Sequence, residues 1–214
     1  MTDLHATLIA LTLTLTTASL TGCSESQAAT PAPTKPAASA LESRASDAAT
    51  ESRNLQTLIA RGEHLVKTSG CHDCHTPLKL GPNGPEPDMT RALSGHPEQL
   101  KMPPPPAPAG PWIVASSGTN TAHSGPWGVS FTANLTPDMG TGIGAWSKDT
   151  FIQTIRTGRH MGRGRPILPP MPIPAYRNFS DDELGAIFAY LHTLPPIENK
   201  VPDPVPPAAP KAKG

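Results

Sequence analysis

The chain has 214 residues, with 17 Lys and Arg against 17 Asp and Glu, so its formal net charge is zero. That balance excludes a protein that grips nucleic acid through bulk positive charge. With 28 prolines, 18 glycines and only three Trp, two Tyr and four Phe, long stretches are barred from regular structure and one modest core is all the chain can bury. Three cysteines are too few for a disulfide scaffold, so their positions matter more than their number.

Residues 1–22 read as a targeting segment. Leu8 to Leu20 is uncharged, apolar and threonine-rich, too short and interrupted to span a bilayer as a mature helix. It leads into Leu20-Thr21-Gly22-Cys23, which resembles the lipobox of bacterial lipoproteins. The resemblance implies a cut before Cys23 and a lipid on it, hence a membrane anchor and a domain facing the periplasm. A plain secretory signal with a chance cysteine is the alternative. Residues 23–52 are rich in Ala, Ser, Thr, Pro, Glu and Gln, with Leu41 the one large apolar side chain. Nothing there offsets the entropy of ordering, so a disordered linker is expected. Residues 200–214, rich in Pro and Ala, are expected to be a disordered tail. That leaves 53–199 as the folded domain.

Three segments carry helical periodicity. The first covers about 54–68, with Leu55, Leu58, Ile59, Gly62, Leu65 and Val66 on one stripe. The second starts after Ser147 as N-cap, carries Phe151, Ile152 and Ile155, and stops at Gly158. The third opens on Ser180-Asp181-Asp182-Glu183, a capping box, and places Leu184, Ile187, Phe188 and Leu191 on its apolar face before Pro195-Pro196. No run alternates at period two, so no sheet is expected to organise the fold. Residues 76–146 read as a long Pro/Gly-punctuated excursion without a regular element, the kind of loop that is functional or wraps something.

Directly after the first helix stands Cys71-His72-Asp73-Cys74-His75, a Cys-x-x-Cys-His sequence, the attachment signature of c-type haem. Two thiols at that spacing can reach both vinyl groups on one porphyrin edge, and the adjoining histidine is directed under the ring, where its nitrogen can ligate iron. Half of a zinc site would need further cysteines or well-spaced histidines, and the other cysteine lies in the signal. A thioredoxin-like pair would want a preceding strand and a βαβ pattern.

The sixth iron position separates electron transfer from chemistry. Met171, in Leu168-Pro169-Pro170-Met171-Pro172, sits on a stiff proline strap that could hold a thioether without reorganising. It is the favoured ligand, because it precedes the last helix. Met102, before Pro103, and Met161, beside His160, are the competitors.

These features together resemble the class I c-type cytochromes: an N-terminal helix, Cys-x-x-Cys-His, a middle helix, a methionine strap and a C-terminal helix. Asn134-Leu135-Thr136-Pro137-Asp138, Thr141-Gly142-Ile143-Gly144-Ala145-Trp146-Ser147 and Pro169-Pro170-Met171-Pro172 are similar to cytochrome domains of bacterial dehydrogenase cytochrome subunits. The resemblance implies an all-α cytochrome c fold with crossing terminal helices, Gly62 at the crossing against Phe188 or Tyr190, and a long Pro/Gly-rich loop insertion. It also implies one covalent haem c on Cys71 and Cys74, with His75 and Met171 as axial ligands. Those subunits carry several Cys-x-x-Cys-His motifs and this chain carries one, so it cannot wire electrons through a haem series.

The function expected is that of a monohaem electron carrier in the bacterial cell envelope. Its partners would be redox proteins, a dehydrogenase as donor and an oxidase or cytochrome as acceptor, with no nucleic acid. A peroxidase-like haem enzyme or a haem-based sensor with an open sixth position is the alternative. Arg156, Arg159, His160, Arg163 and Arg165 form a basic cluster that could meet haem propionates or an acidic partner, or simply be a solvated loop. His64, His72, His96, His123 and His192 have no partner at metal-ligand spacing and read as surface or structural.

Overall fold

The computed structural model describes residues 35–106 and 111–207. The expected signal, 1–22, and Cys23 lie outside the described residues. Every contact discussed below belongs to one compact unit that begins at Ala45.

Helix α1 covers Lys35–Thr68 and so begins well before residue 54. The linker expected to be disordered is helical from Lys35 onward. Its Ala, Ser, Glu and Arg residues include some of the best helix formers. Side chains 39–58 are all exposed, so no apolar stripe marks this part and a reading by periodicity passes over it. After Gly70 in the left-handed conformation comes the short α2, Cys71–His75. Helices α3, Lys148–Thr157, and α5, Asp181–Leu191, follow the caps legible in the sequence. Ser147 accepts from Thr150 N–H, Gly158 ends α3 at φ 66°, and Ser180 and Glu183 close a reciprocal capping box. A single-turn α4, Ile173–Tyr176, lies between them.

The all-α expectation does not hold. Among the described residues, five strands form two antiparallel sheets inside the supposed excursion. Strands β1, Leu78–Gly81, and β2, Gly84–Pro87, pair as a hairpin. Strands β3, Ala115–Ser116, β4, Ala122–Gly125, and β5, Gly128–Phe131, form a three-stranded meander. Each is four residues or shorter, and β1 and β2 lie largely exposed, so no period-two pattern could develop. The turn chemistry was present all the same: two-residue loops, Pro82-Asn83 and Pro126-Trp127, each flanked by paired glycines.

The core sits where α1, α3, α4 and α5 converge, through Val66, Phe151, Ile155, Ile173, Leu184, Ile187 and Leu191, joined by Leu93 and Ile143 from the loops. Helices α1 and α5 meet at Gly62, where a Cβ would stand 1.9 Å from the Ala186 carbonyl oxygen and 2.8 Å from Tyr190 Cβ. Only glycine permits that approach. Tyr190 is therefore the neighbour at the crossing, while Phe188 packs at a tilt against the Phe151 and His192 rings.

The expected free tail is also partly structured. Val205 exchanges two backbone hydrogen bonds with Val129 of β5, at 2.8 and 2.9 Å. Prolines kept this segment out of helix and strand runs without preventing it from packing as an extended strap. Among the described residues no helix is long and apolar enough to cross a membrane.

Candidate functional site

One cavity of about 380 Å³ opens into the core, and Cys71, Cys74, His75 and Met171 all line it. Its walls are otherwise mainly apolar, with Ile143, Trp146, Phe151, Ile155, Leu184, Ile187 and Leu191 contributing. Met102 and Met161 do not line it, and Met161 is exposed. His160 does line it, set edge-on against the Trp146 ring with centroids 5.4 Å apart.

His75 is buried, and its Nδ1 lies 2.7 Å from the Ala133 carbonyl oxygen. A carbonyl can only accept, so Nδ1 carries the proton and Nε2 keeps its lone pair, the form a metal needs. Burial pushes the His75 pKa below the ordinary histidine value, which keeps the ring neutral.

The segment around His75 is pinned from several sides. The His75 carbonyl accepts from Gly95 N–H at 2.8 Å. The buried Thr76 hydroxyl accepts from Leu93 N–H, also at 2.9 Å from His72 Nδ1. Asn120 Nδ2 donates to the Asp73 carbonyl at 2.7 Å, and Leu78 N–H donates to Thr119.

The two thiols are free, and burial raises both, Cys71 to about 11. A dithiol redox pair needs a lowered pKa to attack as thiolate, so this environment disfavours the thioredoxin-like reading. Tyr176 donates its hydroxyl proton to the Ser69 carbonyl beside the motif, fixing the end of α4 against it. The Met171 strap is held from behind by Ser130, whose Oγ donates to the Pro169 carbonyl at 2.6 Å. Two thiols, one neutral imidazole and one thioether around an apolar cavity are the donor set for a covalently held haem, and the residues fit that group.

The other signals sort out differently. Arg156 spans two chain turns, donating to the Arg177 and Phe179 carbonyls and to Asp181. Arg159 donates to Gly164 O. Both are structural, which breaks up the basic cluster; Arg165 alone of its arginines lines the cavity. Trp112 is 76% exposed, so it cannot pack on a buried ring. His96 is buried against Phe131 and bridges Thr121 and Leu100, a structural role.

No family model matches the chain. It is 30% identical over 151 residues to the cytochrome c subunit of the quinone alcohol dehydrogenase of Gluconobacter oxydans (strain 621H), covering 69% of this chain and 24% of that protein. It is 28% identical over 141 residues to the gluconate 2-dehydrogenase cytochrome c subunit of Pantoea cypripedii, 65% of this chain and 24% of the relative. The fructose dehydrogenase cytochrome subunit of Gluconobacter japonicus gives 25% over 145 residues, 67% and 23%. The homologues are cytochrome subunits of bacterial dehydrogenases. This chain spans about a quarter of the length of the curated relatives it matches.

The run Asn134 to Gly144, quoted above only for its likeness to such cytochromes, has a mechanical job. Asn134 Oδ1 accepts from Thr136 N–H and its hydroxyl. Asp138 Oδ1 accepts from Gly140 N–H, Thr141 N–H and the Thr141 hydroxyl, at 3.1, 2.7 and 2.7 Å. These nested turns fold Asn134, Leu135, Thr141, Gly142 and Ile143 into the cavity lining. Asx-turn residues separated by threonines are the sequence signal for such a device.

The bonds from Thr141 and Gly140 hold the Asp138 carboxyl below its ordinary value of 3.8. A depressed folded-state pKa contributes stability above the unfolded value, and that contribution is lost as pH falls through the folded one. Wild-type stability, measured by urea unfolding, should therefore decline as pH falls below about 3.8. Asp138→Asn should flatten that part of the profile.

Proposed function

We propose that this chain is a c-type cytochrome holding one haem covalently through Cys71 and Cys74, with His75 and Met171 as axial ligands, and that it carries single electrons. The observation that carries the reading is the meeting of those four residues in one apolar cavity, with His75 Nδ1 already committed to Ala133 O. Bound haem would supply a one-electron ferric/ferrous couple; the chain supplies ligands, orientation and a dry pocket. One Cys-x-x-Cys-His in the sequence means one such haem. A neutral thioether on a proline strap favours the ferrous state and needs little rearrangement between states. The relatives' names suggest a dehydrogenase as electron donor, with an oxidase or another cytochrome as acceptor. Lipidation of Cys23 would tether the domain in the bacterial envelope, facing the periplasm.

The axial assignment is tested by three single variants of the holoprotein. The wild type should show the near-infrared charge-transfer band of a thioether on ferric haem and should not bind carbon monoxide readily. Met171→Ala should abolish the band, lower the reduction potential and admit carbon monoxide. Met102→Ala and Met161→Ala should leave all three unchanged. A band that survives Met171→Ala removes this methionine from the iron, and ready carbon monoxide binding by the wild type favours an enzyme or sensor.

The anchor is tested separately. Intact mass of the mature chain should show Cys23 at the N-terminus with added acyl mass, and Cys23→Ala should give a soluble domain. A mature N-terminus upstream of Cys23 would contradict the lipid.

A further inference from the structure

The C-terminal segment 197–207 is stapled to the body of the protein at both ends. At its start, Ile197 exchanges bonds with Asn134 and Thr136. Asn199 follows, 1% exposed. Its Nδ2 donates to the Ser94 and His96 carbonyls at 2.7 and 2.9 Å, and its Oδ1 accepts from Arg91 Nη2 and Glu98 N–H, each at 3.0 Å. Four bonds satisfy the whole amide, which fixes one register for the chain at this point. At the far end Val205 pairs with Val129, and a Cβ on neighbouring Gly128 would lie 2.0 Å from the Val205 carbonyl oxygen.

Between the staples, Lys200, Val201, Pro202, Asp203 and Pro204 all line the cavity that holds Cys71, His75 and Met171. Val201, Pro202 and Pro204 are only half-buried and do not belong to the packed core. Their apolar surface is turned to the cavity, where its missing contact would be whatever fills that space. Prolines at 202 and 204 fix φ and donate no hydrogen bond, so the span stays extended, tied at its start by Lys200 N–H donating to Glu98 Oε2 at 3.2 Å. A tail packed only for stability would need neither a fully satisfied buried amide nor a return to the sheet beyond the cavity.

We propose that residues 200–204 are a wall of the haem site, with Asn199 and Val205 as its positioning residues. This rests on the haem reading above. The wall keeps water and exogenous ligands away from the ring. A drier pocket disfavours the more highly charged ferric state and raises the reduction potential.

The test uses full-length holoprotein. Asn199→Ala strands several buried partners and risks the fold, so two milder variants carry the experiment: Val205→Pro, which removes one staple donor at an exposed position, and the double variant Pro202→Gly/Pro204→Gly, which loosens the span and leaves both staples. Each should retain covalent haem by the pyridine haemochrome assay. Each should also show a lower midpoint potential, and imidazole should bind the ferric form about fivefold faster, as expected for one lost hydrogen bond or its equivalent in local order. Variants that lose stability to urea yet keep the wild-type potential and imidazole rate would overturn the wall, as would variants unchanged in every respect. Absence of covalent haem from the wild type would instead overturn the haem reading, and the wall with it.

Discussion

The hydrogen bond from His75 Nδ1 to the Ala133 carbonyl, 2.7 Å long and shut away from water, is the constraint around which the rest is arranged. It selects the tautomer, stops the ring from turning, and leaves Nε2 without a protein hydrogen bond. Because the acceptor is a backbone atom, no side-chain change at position 133 removes it directly. It also ties the helical half of the domain to the chain leaving β5. A bond of this kind contributes about 1 kcal/mol net to stability; its larger consequence is geometric.

From that bond the long insertion acquires a purpose. Its loops hold the Cys-x-x-Cys-His segment and the residues just after it: Gly95 and Asn120 bond to His75 and Asp73 within the motif, and Leu93 and Thr119 to Thr76 and Leu78 beyond it. The meander then delivers Ser130 to the Pro169 carbonyl, so one small sheet supports both the histidine side and the methionine strap. The C-terminal staples use the same frame, through Val129 of β5 and the Asn134–Asp138 turns. Short strands suffice because they act as brackets between loops rather than as a layer of the core.

What could be read from residues alone follows from which signals are local. The caps at Ser147 and Ser180, the stop at Gly158 and the Cys-x-x-Cys-His spacing depend on neighbours within a few positions, and the structure has them where they were expected. Gly62 at the crossing was implied by the resemblance to class I c-type cytochromes, and the Ala186 carbonyl against its Cα supplies the reason. The sheets were not legible, since strands of two to four residues carry no period, although their two-residue turns carried a usable signal. The helical start at Lys35 was hidden by the absence of any apolar face. Arg156 looked like free charge until its carbonyl partners, some twenty residues away, came into place. Asn199 could not have been singled out, because the four atoms it satisfies lie about a hundred residues earlier in the chain.

The most direct measurement is the haem content of the purified chain after extraction with acidified acetone, read against the reduced and oxidised absorption spectra. One haem per chain that stays with the polypeptide, low-spin in both oxidation states, is the expected result. Haem that passes into the solvent, or a chain that takes up none when matured in a host competent for c-type attachment, would contradict the central claim.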